Sequence, residues 1–405
     1  MSTNIKDHSL SSFTYSVSNM FERASYYGIR ALLVIYMLSE TIGMSNAEAF
    51  SIYRWLAIIF VFTKIIGGVL GDLLIGNKLT LIIGGALHVL GAISLCIPSQ
   101  IGLYIGLGLV FLGSGFYSTN LWAQFGKCYA ANTKRLDAGF TMLYTATNIG
   151  AVIGILTIGY LGDMNIVYGF GFAGVLMLFS IIMAVLSKDR VEVALDKKPS
   201  PMSIRVLYIF IAVLLVAIFW GFFEMSAYGM FDISGQIYEN ANLGMERMTW
   251  GSIGQWITLP LGLIAIVAWT FFYANQFVKI AVGFILAGIS LGILLLIPED
   301  PEAGSIPIFL ISLLLFSLAE ILVAPIVYSV LTKFTNPKYL AIVIALAVVP
   351  TTIMLKLVGL FSEFLYDRPP SVSITLSAVI YGVIGIGIVI VLVVLHSQKI
   401  ISSNE

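Results

Sequence analysis

Twelve stretches of this chain are long and apolar enough to cross a lipid bilayer, and they leave almost nothing over. A hydrocarbon core of about 30 Å asks for about 20 apolar residues per helix. By that measure the spans fall at roughly 13–38, 49–75, 79–98, 101–126, 137–161, 166–187, 205–230, 249–273, 277–297, 305–333, 339–365 and 371–396. Of the 405 residues, 59% are apolar and 10% charged, with a mean hydropathy of +1.00. A soluble domain could not hide that much apolar surface. Runs such as IFIAVLLVAIFW (209–220) do not alternate apolar with polar residues, so the spans read as helices and not as barrel strands.

Lysine and arginine placement sets the expected orientation. With the N-terminus in the cytoplasm, fourteen of the 21 cations fall on cytoplasmic segments, and only Arg247 and Arg368 fall outside. The opening MSTNIKDHSLSS is polar and is not read as a signal peptide. The charged, proline-bearing segment around 188–204 follows the sixth span. It predicts an N-terminal six-helix bundle (1–187), a cytoplasmic linker (188–204) and a C-terminal six-helix bundle (205–405). Two six-helix halves are the layout of transporters whose site lies at the repeat interface. A net charge of zero excludes a basic field for nucleic acid. Cys96 and Cys128 do not suggest a disulfide framework. No phosphate loop, zinc spacing or nucleophile elbow is present, so neither enzyme activity, nor a cofactor, nor a metal is expected.

Ionisable residues within spans are costly and are functional candidates by default. Here they are Glu22, Arg23 and Arg30 in span 1, Lys64 in span 2, Glu224 in span 7, Glu320 in span 10 and Lys356 in span 11. In NMFERASYYGIR (19–30), residues Asn19, Glu22, Tyr26 and Arg30 share an arc of about 80° on a helix. That is one polar stripe facing away from lipid; its plainer explanation is an ion pair tying helices together. Glu320 lies five residues before Pro325, whose ring weakens a helix and can leave a carboxylate beside broken backbone. Glu224 is a candidate proton carrier. Lys64 and Lys356 are either counter-ions or snorkelling side chains. The lone His88 fits hydrogen-bonded packing better than ligation.

The turn GVLGDLLIGNK (68–78) resembles the loop between helices 2 and 3 of the major facilitator superfamily, with Asp72 as the gate residue. Within that superfamily the chain resembles the proton-dependent oligopeptide transporters. The matching stretches are ERASYYGIRALL (22–33), DAGFTMLYTATNIGA (137–151), FWGFFE (219–224) and EILVAP (320–325). The resemblance implies an all-α membrane protein with twelve helices. It implies that Arg30 receives a peptide carboxylate and Glu320 its ammonium group, while Tyr27 and Asn148 contact the peptide backbone. Trp256 falls near the family's helix 8 asparagine. Glu22, Arg23 and Glu224 would form the proton-coupling network. The chain also departs from the pattern. It has Asn19 for a glutamate, Ser118 and Thr119 for Lys-Pro, and Val61 and Val348 for a tyrosine and a tryptophan. Lys64 is expected to replace the missing cation by pairing with Glu224 or Glu22.

These features favour a proton-coupled importer of di-/tripeptides or peptide-like amphoteric solutes. It would work as a monomer in the bacterial inner (plasma) membrane, with protons, substrate and lipid as its partners. Asn19 and Ser118 keep open a facilitator or exporter that is not proton-driven. A non-transporting sensor is a third reading.

Overall fold

A computed structural model describes residues 8–130, 132–187, 201–365 and 368–397. Most of the predicted 188–204 linker therefore lies outside the described residues, as do Lys6 and Lys399. The helices are α1 (Leu10–Leu38), α2 (Asn46–Val69), α3 (Asn77–Leu95), α4 (Gln100–Lys127), α5 (Leu136–Met164), α6 (Ile166–Leu186) and α7 (Met202–Ala241). They continue with α8 (Arg247–Gly251), α9 (Ile253–Phe271), α10 (Gln276–Leu294), α11 (Ile306–Phe334), α12 (Leu340–Leu346), α13 (Val348–Leu365) and α14 (Pro370–Ser397). No strand occurs among the described residues. Eleven segments are long and apolar enough to span a membrane. Helix α1, with its serine-rich first half and Glu22, Arg23 and Arg30, falls short of that measure, and it completes the twelve. The all-α, twelve-span fold class expected from the sequence is what the structure has.

Two segments differ from the expected spans. Helix α7 runs 40 residues, well past the expected end near 230. Nothing in FDISGQIYENA breaks it until Asn242 turns left-handed at φ 45°, so the predicted 231–248 loop is largely helix. The eleventh span is broken at Ala347, between α12 and α13. Pro350 has no N–H for the Leu346 carbonyl, and its ring crowds that turn.

Packing divides the chain into two compact units, Met1–Asp196 with Thr335–Leu346, and Lys197–Phe334 with Ala347–Glu405. The division departs from the expected 205–405 bundle in one segment: α12 belongs with the first unit. Asp72 is the physical reason. It sits in a π-helical turn, Leu70–Leu74, that ends α2. Its Oδ2 accepts the Ile342 backbone N–H (2.9 Å) and its Oδ1 accepts from Asn77 Nδ2 (2.9 Å). The carboxylate thus caps the first turn of α12. Asn77 also donates to Asn120 Oδ1 (2.8 Å) and accepts from Lys127 Nζ (2.5 Å). A Cβ on Gly71 would collide with Asn120, and Gly76 takes φ 85° to start α3.

Small residues and serines join the helices of each unit. Gly150 and Gly154 of α5 lie against the Met20 and Ala24 carbonyls of α1, where a Cβ would clash. Ser18, Tyr117 and Ser180 form a buried chain of hydroxyls at 2.7 Å spacing. In the second unit Ser290 and Ser312 exchange bonds to each other's carbonyl at 2.8 and 2.9 Å. Such interhelical bonds hold helices together where lipid offers no hydrophobic drive. Replacing Asp72 with alanine removes the cap of α12. We expect a loss of about 1 kcal/mol, read as a lower unfolding temperature of the detergent-solubilised protein, with Asp72→Asn intermediate.

Candidate functional site

Helix α1 places its charges at the centre of the first unit. Glu22 and Arg23 are buried, and they pair with each other. Arg23 Nε donates to Glu22 Oε2 at 2.5 Å and Nη2 donates to Oε1 at 2.6 Å. Both carboxylate oxygens are therefore occupied by one guanidinium fork, the strong form of such a pair. Arg23 also lies over Tyr26, its Cζ 4.9 Å from the ring centroid, and 5.9 Å from that of Tyr27.

Arg30, two turns further on, meets α2. Its Nε donates to the Tyr53 hydroxyl at 3.0 Å, and its Nη2 donates to the same oxygen. Its Cζ lies 5.0 Å from the Tyr53 ring and 5.8 Å from that of Tyr26. Tyr26 in turn stacks on Phe60, with centroids 5.1 Å apart and planes 20° apart. Lys64 Nζ stands 4.7 Å from the Phe60 centroid. Phe111 of α4 closes the cluster edge-on, 5.6 Å from Tyr26 and 6.0 Å from Phe60. The expected Lys64–Glu22 pair is not formed: Glu22 pairs with Arg23, and Lys64 rests on the Phe60 ring.

Asn19, on the same face of α1, is engaged by other helices. It is buried, and its amide donates to the Leu143 carbonyl (3.2 Å) and to Thr147 Oγ1 (2.7 Å). Its Oδ1 accepts from Trp122 Nε1 (3.1 Å). It ties α1 to α4 and α5 as a neutral, satisfied amide. Ser118 and Thr119, also buried, carry hydroxyls without a hydrogen-bond partner among the described residues. Tyr27 and Asn148 are half-buried, and Asn148 has no hydrogen bond among the described residues. His88 is satisfied packing: Ser25 Oγ lies 2.9 Å from Nε2 and Ser114 Oγ 2.8 Å from Nδ1.

In the second unit Glu320 is half-buried on α11. The helix continues through Pro325 from Ile306 to Phe334, so the expected break is absent. The proline only removes the donor that would have served the Ile321 carbonyl. One turn before Glu320, Phe316 packs on Phe219 and Phe223 of α7 at 5.7 and 5.0 Å. Beside it Ser317 accepts from Thr258 of α9 at 2.9 Å. Glu224, Trp256 and Lys356 are exposed on their own helices, and Glu224 makes no ion pair among the described residues. Among those residues no His, Cys, Asp and Glu group is placed to hold a metal ion.

Sequence reasoning named the α1 charges and Lys64 but missed the rings beside them. Tyr53 and Phe60 stand at i and i+7 on α2, with Lys64 at i+11, a single stripe that spacing could have exposed. Trp122 and Thr147 had no such signal, since each is recognisable only through Asn19.

Residues 15–355 match the model of the Major Facilitator Superfamily, and the chain belongs to that superfamily. Over 198 residues it is 34% identical to "Uncharacterized transporter YclF" of Bacillus subtilis, covering 47% of this chain and 40% of that protein. Over 218 residues it is 30% identical to a di-/tripeptide transporter of Lactococcus lactis subsp. cremoris, covering 51% and 44%. These matches span less than half the length of the relatives. The crystal structure of a peptide transporter POT mutant superposes with a TM-score of 0.62 at 22% identity, over 93% of both chains. A POT family transporter in complex with 5-aminolevulinic acid gives 0.60 at 18% identity, over 94% and 95%. At such identity these structures establish the fold, and they are the neighbours that the α1 signature implied.

Three hydrogen bonds, each with a net worth of about 1 kcal/mol, make Asn19 a structural tie. We expect Asn19→Ala to lower the unfolding temperature while leaving the pH profile of any transport unchanged.

Proposed function

We propose that the protein is a secondary transporter that imports di- or tripeptides, or peptide-like amphoteric solutes, with protons and by alternating access. Arg30 carries this reading. It is a cation within a membrane helix, held by a phenol and two rings, with no carboxylate partner among the described residues. Aromatic faces and a hydroxyl position a guanidinium but leave its charge uncompensated. A ligand carboxylate would complete it with a bidentate bond. In this reading Glu320 takes the ligand ammonium, Tyr27 and Asn148 the backbone, and Trp256 a side chain. Glu22, Arg23 and Glu224 carry the proton coupling. Superfamily membership and the di-/tripeptide relatives support it. The protein would act as a monomer in a bacterial plasma membrane, with its termini in the cytoplasm.

A second reading has a specific observation in its favour. Asn19 is neutral and fully bonded, and Ser118 brings no charge. Both reduce the titratable network and suit a facilitator or exporter not driven by protons.

Uptake of a labelled dipeptide into proteoliposomes tests the choice. A proton-coupled importer concentrates the peptide when an inward gradient is applied. A driving force of about 150 mV, at 2.3 kcal/mol per charge per 100 mV, sets a ceiling of a few hundred-fold. Equilibration that ignores the gradient selects the facilitator. Arg30→Ala is expected to weaken dipeptide binding by about 10- to 100-fold, the worth of a charged hydrogen bond. Glu22→Gln is expected to flatten the pH dependence of uptake.

A further inference from the structure

Three positive groups converge around the Tyr26–Phe60 stack, and among the described residues one of them, Arg23, is paired with a carboxylate. Arg23 is matched by Glu22. Arg30 and Lys64 are half-buried, and neither has a carboxylate within ion-pair distance among the described residues. They sit at opposite ends of one aromatic stack, Lys64 on Phe60 and Arg30 against Tyr26. Rings hold cations in place without neutralising them. A pair of uncompensated charges within a membrane helix layer is costly unless something of opposite sign arrives.

A buried hydroxyl lies two turns along α4 from Phe111. Ser118 lies on the α4 stripe that contains Phe111, seven residues earlier, and Phe111 packs on both rings of the stack. The Ser118 side chain is buried and its hydroxyl has no hydrogen-bond partner among the described residues. A hydroxyl adds a hydrogen-bond donor, which an anion accepts, without adding charge.

We propose that this cluster receives two anionic groups, so that the preferred ligands carry an acidic group in addition to the main carboxylate. The inference rests on the amphoteric-solute reading above and narrows its substrate class. A neutral dipeptide brings one carboxylate, which the Arg30 fork accepts, and leaves Lys64 uncompensated. A peptide with an acidic side chain answers both cations.

Alanyl-glutamate and alanyl-glutamine have nearly the same shape and differ in one charge. Their binding to the purified full chain, measured by calorimetry, tests the proposal, with glutarate as a dianion lacking an amine. The expected result is at least tenfold tighter binding of alanyl-glutamate, about 1.4 kcal/mol. Lys64→Gln should bring the two dipeptides to parity, and Lys64→Arg should keep the preference. Equal binding of the two dipeptides to the unaltered protein overturns the proposal, even where Lys64→Gln fails to fold. So does a preference that survives in a folded Lys64→Gln. Neither result touches the transporter reading, which the uptake of alanyl-glutamine decides separately. Lys64-dependent binding of glutarate with no binding of either dipeptide upholds the two-cation site and removes the peptide reading. Failure of all three probes to bind overturns the proposal.

Discussion

A charge placed inside a bilayer has to bring its own compensation, and the two-pronged contact between Glu22 and Arg23 is how α1 meets that requirement. The pair is made between neighbours on one helix, so it asks nothing of any other span. That leaves the remaining α1 surface to pack by close approach, with Gly150 and Gly154 of α5 drawn against the carbonyls of Met20 and Ala24. It also leaves Arg30 and Lys64 to be held by rings and hydroxyls. The first unit is thus a polar centre wrapped in aromatic side chains, and its chemistry is set by which charges are internally answered.

Most of the architecture was legible in the sequence because the bilayer imposes a length and a composition on every span. The exceptions have local causes. Helix α7 runs on because its polar end contains no breaker before Asn242. The eleventh span breaks at Ala347 because of Pro350, whereas Pro325 is absorbed by a helix packed on both sides of it. Proline alone does not say whether a helix will bend or continue; its neighbours decide.

The site was legible in part. Helical spacing puts Asn19, Glu22, Tyr26 and Arg30 on one face of α1, but Asn19 bonds Thr147 and Trp122 while Glu22 pairs with Arg23. Periodicity places a residue on a face but does not say which neighbour answers it. Likewise Lys64 was expected to seek a carboxylate and rests on Phe60. Which of two nearby cations takes a carboxylate depends on their placement in three dimensions, and here Glu22 pairs with Arg23 on its own helix.

The grouping of α12 with the first unit has a consequence for biosynthesis. Asp72 emerges early, but the backbone amide it accepts belongs to Ile342. Ten of the twelve spans precede that amide in the chain. The first unit therefore cannot be finished while the ribosome is still making it. Its last structural element arrives only when most of the second has been translated, so the two units mature together and a chain cut at residue 200 would leave the first without its final segment.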